Sequence, residues 1–404
     1  MRKKILLFLS AAIMSSLPIF ARDIEYEYKG LTLTYTVLDE NAKTVETKEG
    51  GYSYPGNNVQ GELVIPSQIE DGDEIYTVTS IGYCSFKNCS KLTAISFPDG
   101  LASIGGSAFE GCSGLSSISL PDGLTSIEFS AFEGCSGLSF ISFPDGLTSI
   151  GGSAFEGCSE LSSISLPNGL TSIGGYAFRG CSELSSISFP DGLTSIGYYA
   201  FLDCSALSSI SLPDGLTTIG SNTFEGCSGL SSISIPGSVN SIGDGAFRQC
   251  IGLKTLRIEG GSDELNLGCN NDDSYSNSVG EGLFYDCPLE SLYLGRDLKY
   301  DASYHTGYSP FYSKSTLKTL NFGDAVTSIG DYAFNGCSEL SSISLPDGLA
   351  SIGNSAFSSC SGLSSISLPD GLTSIGKSAF YGCTGLTSVT IGNSVETIGN
   401  SAFY

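Results

Sequence analysis

Apolar residues fall along this chain at positions that recur. In "LTSIGGSAFEGCSELSSISLPNG", residues 147 to 169, they are Leu147, Ile150, Ala154, Phe155, Cys158, Leu161, Ile164 and Leu166, with Ser, Gly, Thr and Glu between them. Ile164 and Leu166 lie two apart, the period of a strand with one buried face, and the Pro-Asn-Gly or Pro-Asp-Gly that follows is turn chemistry that ends it. "LTSIG" predicts a second short extended segment on the opposite side of a coil. "GSAFEGC" is too short and too rich in glycine for a stable helix, so at most one helical or 3₁₀ turn is expected there.

Units in this frame start at Val78, Leu101, Leu124, Leu147, Leu170, Leu193, Leu216 and Val239, 23 residues apart, and resume at Val326, Leu349, Leu372 and Val395. A lone unit has nothing on which to bury its leucines, so copies must stack into a solenoid with a one-dimensional core. With strands about 4.8 Å apart, some thirteen turns make a rod on the order of 60 to 65 Å long. Stacking places Phe109, Phe132, Phe155 and Phe178 in one buried ladder, and Cys112, Cys135, Cys158 and Cys181 in another. The period falls within that of leucine-rich repeats. The fold predicted is mainly β: a leucine-rich-repeat solenoid with one short parallel strand per 23-residue repeat and little helix.

The repeated A-F-x-x-C-x-x-L-x-x-I core in this frame resembles the BspA-like class of leucine-rich repeats from Val78 to the end. The preceding "YKGLTLTYTV", "GELVIP" and "DEIYTVTSIG" resemble the β-hairpin leader that opens the array in that family. This divides the chain into a signal peptide at 1–21, an N-terminal β cap at 22–77, leucine-rich repeats at 78–258, degenerate repeats with insertions at 259–325, and repeats at 326–404 ending in a half unit. The signal peptide is read from Arg2, Lys3 and Lys4, the apolar run Ile5–Met14 and the small Ala21. No later run is apolar and long enough for a membrane helix, so the expected product is secreted or held at the cell surface, with no membrane insertion after signal cleavage. The half unit leaves Ile398 and Phe403 partly covered.

Twelve of the 14 cysteines occupy the same slot of the repeat. One cysteine per unit, with parallel Cβ vectors between neighbours, suits packing and not disulfide geometry. Zinc is disfavoured because paired C-x-x-C spacings are missing and His305 is the single histidine. Cys84 and Cys269 fall outside the ladder.

Charge narrows the partners. A net charge of −24 with 18 Lys and Arg disfavours nucleic acid and anionic lipid, both bound through cations, and suits a soluble rod. Asp99, Asp122, Asp145 and their copies would stack in one row and Glu110, Glu133 and Glu156 in another, a weak case for calcium since turns favour Asp anyway. No other cofactor is implied. Ser162, Ser163 and Ser165 with their copies predict a flat hydroxyl-rich face, suited to repeated weak contacts.

Between 259 and 325 the frame fails. "GLFYDCPLESLYLG" and "SPFYSKSTLKTLNFGD" keep a core through Phe284, Cys287, Leu289, Phe311, Leu317 and Leu320, but Lys314 falls in the cysteine slot, where a buried ammonium is costly. Either a loosened coil or a lysine that reaches water is expected there, with the ladder interrupted locally. Solenoid insertions map to one face, often the binding face, and Tyr and Arg dominate interface energetics. Tyr293, Arg296, Tyr300, Tyr304, His305, Tyr308 and Tyr312 are therefore the candidate partner-binding residues.

Catalytic motifs such as G-x-S-x-G, a Walker loop or H-E-x-x-H do not occur, so an enzyme is not expected. The resemblance implies a cell-surface or secreted protein that adheres to protein ligands, extracellular-matrix proteins such as fibronectin or fibrinogen among them. The alternative is a spacer or stalk with no specific ligand. Oligomeric state is left open by the sequence.

Overall fold

The structure is a computed structural model that describes residues 22–48, 59–268, 282–300 and 309–404. The signal peptide, Cys269, Tyr304, His305 and Tyr308 lie outside the described residues. The rest is a coil of short parallel strands and turns, and no helix occurs among the described residues.

Each regular unit contributes two strands, the second being the short extended segment at "LTSIG". Ser163–Ser165 pairs in register with Ser186–Ser188, and that with Ser209–Ser211, on one face. On the other, Ser149–Ile150 pairs with Ser172–Ile173, and so on along the coil. The two-residue strands build the longer sheet, which runs without a gap from Glu74–Ile81 through Ser241–Ile242 to Leu265–Leu267 and Leu298–Lys299. The glycine that closes each "TSIG" makes this approach possible: a Cβ on Gly151 would stand 2.7 Å from the backbone of Glu128 and Phe129.

The segment between the strands is a chain of turns closed by bonds such as Cys158 N–H to Phe155 O at 3.2 Å. It also donates forward to the next unit, as Phe155 N–H does to Ala177 O at 2.8 Å. Threonine and serine hydroxyls close a further set outside. Thr148 Oγ1 donates to Thr125 O at 3.1 Å and Ser185 Oγ to Ser162 O at 3.1 Å. These hydroxyls add a second donor to carbonyls of the preceding coil that already accept a backbone N–H, as Thr125 O does from Thr148 and Ser162 O from Ser185.

The core is the stack of leucine, isoleucine, phenylalanine and cysteine between the faces. Phe109, Phe132, Phe155 and Phe178, and Cys112, Cys135, Cys158 and Cys181, are each 0 % exposed. At the first edge the strands Asp23–Tyr28 and Leu31–Asp39 form an antiparallel hairpin, and Thr44–Thr47 lies parallel to Glu74–Ile81. Tyr35 and Tyr76 are buried beneath this cap, and Tyr76 Oη donates to Glu40 at 2.7 Å.

Candidate contact surface

The phenylalanine ladder runs through the irregular region, as the retained Phe284 and Phe311 predict, and the ladder interruption is confined to the cysteine slot, where Lys314 stands. Ring centroids are 5.5 Å apart for Phe247 and Phe284, 5.4 Å for Phe284 and Phe311, and 5.7 Å for Phe311 and Phe334, within 14° of parallel. The serine-face sheet also crosses it, from Ser232–Ile235 through Thr255–Ile258, Ser291–Leu294 and Thr319–Phe322 to Ser342–Ser344. Only the opposite sheet breaks, between Leu298–Lys299 and Ser328–Ile329. The sequence inserted at 269–281 and 301–308 follows those two-residue strands and precedes the phenylalanine turns, so the stacking that carries most of the buried area is untouched.

The cysteine slot explains how Lys314 is tolerated. Each ladder thiol from Cys112 onward donates to the phenylalanine carbonyl of the preceding unit, as Cys158 Sγ does to Phe132 O at 3.3 Å and Cys337 Sγ to Phe311 O at 3.4 Å. Lys314 Nζ makes the equivalent bond to Phe284 O. Its ammonium keeps the donor role, and burial pushes its pKa below the ordinary lysine value, opposed by the nearby Cys287, Cys337 and Asp286. A hydrogen bond with Cys250 holds the Cys287 thiol below its usual range, and the Lys314 charge adds to that. Burial instead pushes Cys135 and Cys181 up to about 12. Every described cysteine is a free thiol.

The four candidate binding residues that the structure describes, Tyr293, Arg296, Tyr300 and Tyr312, do not share one surface. Arg296 is 3 % exposed and points inward, donating from Nη1 to Gly237 O at 3.0 Å and from Nη2 to Pro236 O at 3.2 Å. It ties coils together, which removes it from the contact surface. Tyr300 is half-buried at the sheet break, its hydroxyl donating to Asp331 O at 3.1 Å. Together with Leu298, Phe322 and Val326 these two line a cavity of about 20 Å³, space for a single water and no ligand. Tyr312 is half-buried. Of the described candidates, Tyr293 stands on the serine face, in register with Arg257 and Asn321.

Around Tyr293 the hydroxyl surface gives way to larger groups. The Arg257 guanidinium lies 3.8 Å from the Tyr293 ring centroid and pairs with Glu259 at 2.5 Å. On the flanking row, Lys254 and Lys318 each reach Glu290 at 3.1 Å. Hydrogen bonds from these cations, Lys254 first, hold the Glu290 carboxyl below its ordinary range, as Arg257 does for Glu259. Sequence reasoning missed Arg257, Lys254 and Lys318. Aligning strands instead of insertions would have found them, since Ser234, Arg257, Tyr293, Asn321 and Ser344 share one row.

The carboxylate rows are also less repulsive than their spacing suggested. Glu110 pairs with Lys87 at 2.8 Å, Glu156 with Arg179 at 3.0 Å and Glu225 with Arg248 at 3.8 Å. Among the described residues, no three His, Cys, Asp or Glu side chains converge on a metal position.

A stacked coil of this period, with hydrogen-bonded turns and a leucine-phenylalanine core, defines a leucine-rich-repeat protein. Six copies of the BspA type leucine rich repeat region match residues 73–162, 148–276 and 305–404, and the chain belongs to this family. The fold is similar to a leucine-rich repeat protein of Bacteroides ovatus, at 28% identity over 92% of this chain and 91% of that one, with a TM-score of 0.57. A leucine rich cell surface protein of Faecalibacterium prausnitzii aligns at 25% identity over 91% of this chain and 94% of that one, with a TM-score of 0.47. The leucine rich repeat protein of T. pallidum aligns at 33% identity over 49% and 87%, with a TM-score of 0.44. A comparison with curated proteins gives no match. Leucine-rich repeats serve in general as protein-interaction surfaces, and among the described residues no helix is long and apolar enough to cross a membrane.

Proposed function

We propose that this chain is a non-catalytic, secreted or cell-surface adhesin that binds protein ligands, extracellular-matrix proteins among them, through the interrupted serine face. The observation that carries this is the half-exposed Tyr293 ring under the Arg257 guanidinium, with the Lys254–Glu290–Lys318 row nearby, on a face made mostly of hydroxyls. Tyr and Arg concentrate binding energy where they can be desolvated together, and a cation already held over the ring loses little freedom on contact.

The test is capture of the purified chain on immobilised fibronectin and fibrinogen. Arg257→Ser with Tyr293→Ser restores the serine row, so the coil should survive. The double variant should bind at least about tenfold more weakly. Unchanged capture would reject this site, and absence of wild-type binding to both proteins would reject the matrix reading. The second reading is a stalk, favoured by the hydroxyls that spend their hydrogen bonds on the preceding coil.

A further inference from the structure

The rim between the "TSIG" strands and the phenylalanine turns is mostly glycine and serine, yet exposed rings lie on it at one slot of the repeat, Tyr83 at the first edge and the two barest, Phe129 and Tyr198, further along. Phe129 is 52 % exposed and Tyr198 55 %. Each folds back over the glycine of the preceding unit. A Cβ on Gly106 would meet three Phe129 ring atoms at 2.7–3.0 Å, and one on Gly175 three Tyr198 ring atoms at 2.8–3.0 Å. Near-equal distances to several ring atoms mean that a ring face covers each glycine. Both rings nevertheless stay more than half exposed.

Both rings are fixed in place by neighbours. Tyr83 packs beside Phe129 with centroids 6.0 Å apart. Tyr176 meets Tyr198 edge-on at 5.2 Å and stacks on Tyr199 at 4.9 Å. Arg179, held by Glu156 at 3.0 Å, lies 5.7 Å from the Tyr176 ring centroid, so the cation at this rim is already paired.

Residues 129 and 198 are three repeats apart, which separates the two platforms by about 14 Å, roughly the length of two or three linked pyranose rings. The backbone between them carries Gly151, Gly152 and Gly174 with the half-buried Ser130 and Ser153. Tyr83 with Phe129, and Tyr176 with Tyr198 and Tyr199, form two aromatic clusters separated by a glycine and serine floor. A neutral sugar chain fits this spacing of flat rings over a polar floor. The C–H face of a pyranose covers a single flat ring, and its hydroxyls bond to a wet, polar surround. The charge balance agrees, because the excess of carboxylates on this chain opposes anionic ligands.

We infer that Phe129 and Tyr198 are the two stacking platforms of a binding site for neutral pyranose oligosaccharides, separate from the protein-contact surface at Tyr293. Maltohexaose, cellohexaose and xylohexaose, titrated into the full chain, provide the probes. Calorimetry and intrinsic tyrosine fluorescence provide the readouts, since the chain has no tryptophan. At least one should bind with a millimolar or tighter constant. Phe129→Gly and Tyr198→Gly, which install the residue that neighbouring units carry, should each weaken it about tenfold or more, with melting temperature held within a few degrees. Tyr198→Phe should retain binding, and so should the Arg257→Ser, Tyr293→Ser variant. Absence of binding by all three sugars, binding unchanged in both glycine variants, or binding lost only at Tyr293 would overturn the assignment.

Discussion

Replacing Lys314 by cysteine tests whether the cysteine slot is defined by its hydrogen bond or by its polarity. In the native chain Lys314 Nζ is held at Phe284 O, next to Cys287 and Cys337 and away from a carboxylate partner in direct contact. Lys314→Cys keeps a donor for that carbonyl and removes the desolvated charge. Burial of an incompletely compensated polar group costs on the order of 1–3 kcal/mol, so the variant should gain about that much stability, seen as a rise of a few degrees in melting temperature. Lys314→Met, which has no N–H to offer, should gain less because Phe284 O loses a donor.

The pH dependence separates charge from packing. Burial depresses the folded-state pKa of Lys314 below the ordinary 10.5. Between those two values the unfolded chain holds a proton that the folded chain lacks, so native stability rises with pH across that window. The difference in urea midpoint between Lys314→Met and the native chain should therefore shrink as pH increases toward 10.5. A destabilised Lys314→Cys, or a difference that does not vary with pH, would refute the view that Lys314 is a strained stand-in for the thiol.

Other expectations rest on the same ladder. Phe155→Ala removes a fully buried ring stacked on Phe132 and Phe178 at 5.4 and 5.5 Å and should cost about 3–5 kcal/mol by chemical denaturation. Phe403→Ala, at a ring 38 % exposed with a stack on Phe380 alone, should cost less than half as much. Ladder thiols such as Cys135 and Cys181 are raised from 9.0 to about 12 by burial. Their contribution should be intact below pH 9 and lost as pH rises toward 12, because the unfolded chain then sheds protons that the folded one retains. Melting curves between pH 7 and 10 should show that decline. Alkylation of the unreduced, denatured chain should modify the ladder thiols, whereas in the folded chain the half-buried Cys84 should react ahead of the buried ones. Fewer than about ten modified thiols after denaturation would contradict their packing role.

How far the sequence reaches is clearest at particular positions. The period placed Phe155, Cys158 and Leu161 at recurring slots, because a buried side chain in a stacked coil has one orientation to fill and every unit must fill it alike. It also marked the strand ending in Leu166 and the hairpin leader, both local patterns set by backbone geometry. Sequence retained the core residues Phe284 and Phe311 but could not show that the serine-face sheet crosses this region while the opposite sheet breaks after Leu298–Lys299, since that depends on where the inserted residues leave the coil. Nor could it show that Arg296 turns inward to the carbonyls of Pro236 and Gly237, some sixty residues away, or that Tyr293 meets Arg257. The repeat itself determined that this chain is a solenoid with an apolar axis and a polar skin, because periodic burial permits little else. The tertiary structure alone decided which irregular side chains share a row, which face inward and which lie bare on a glycine, because those relations depend on stacking register and not on distance along the chain.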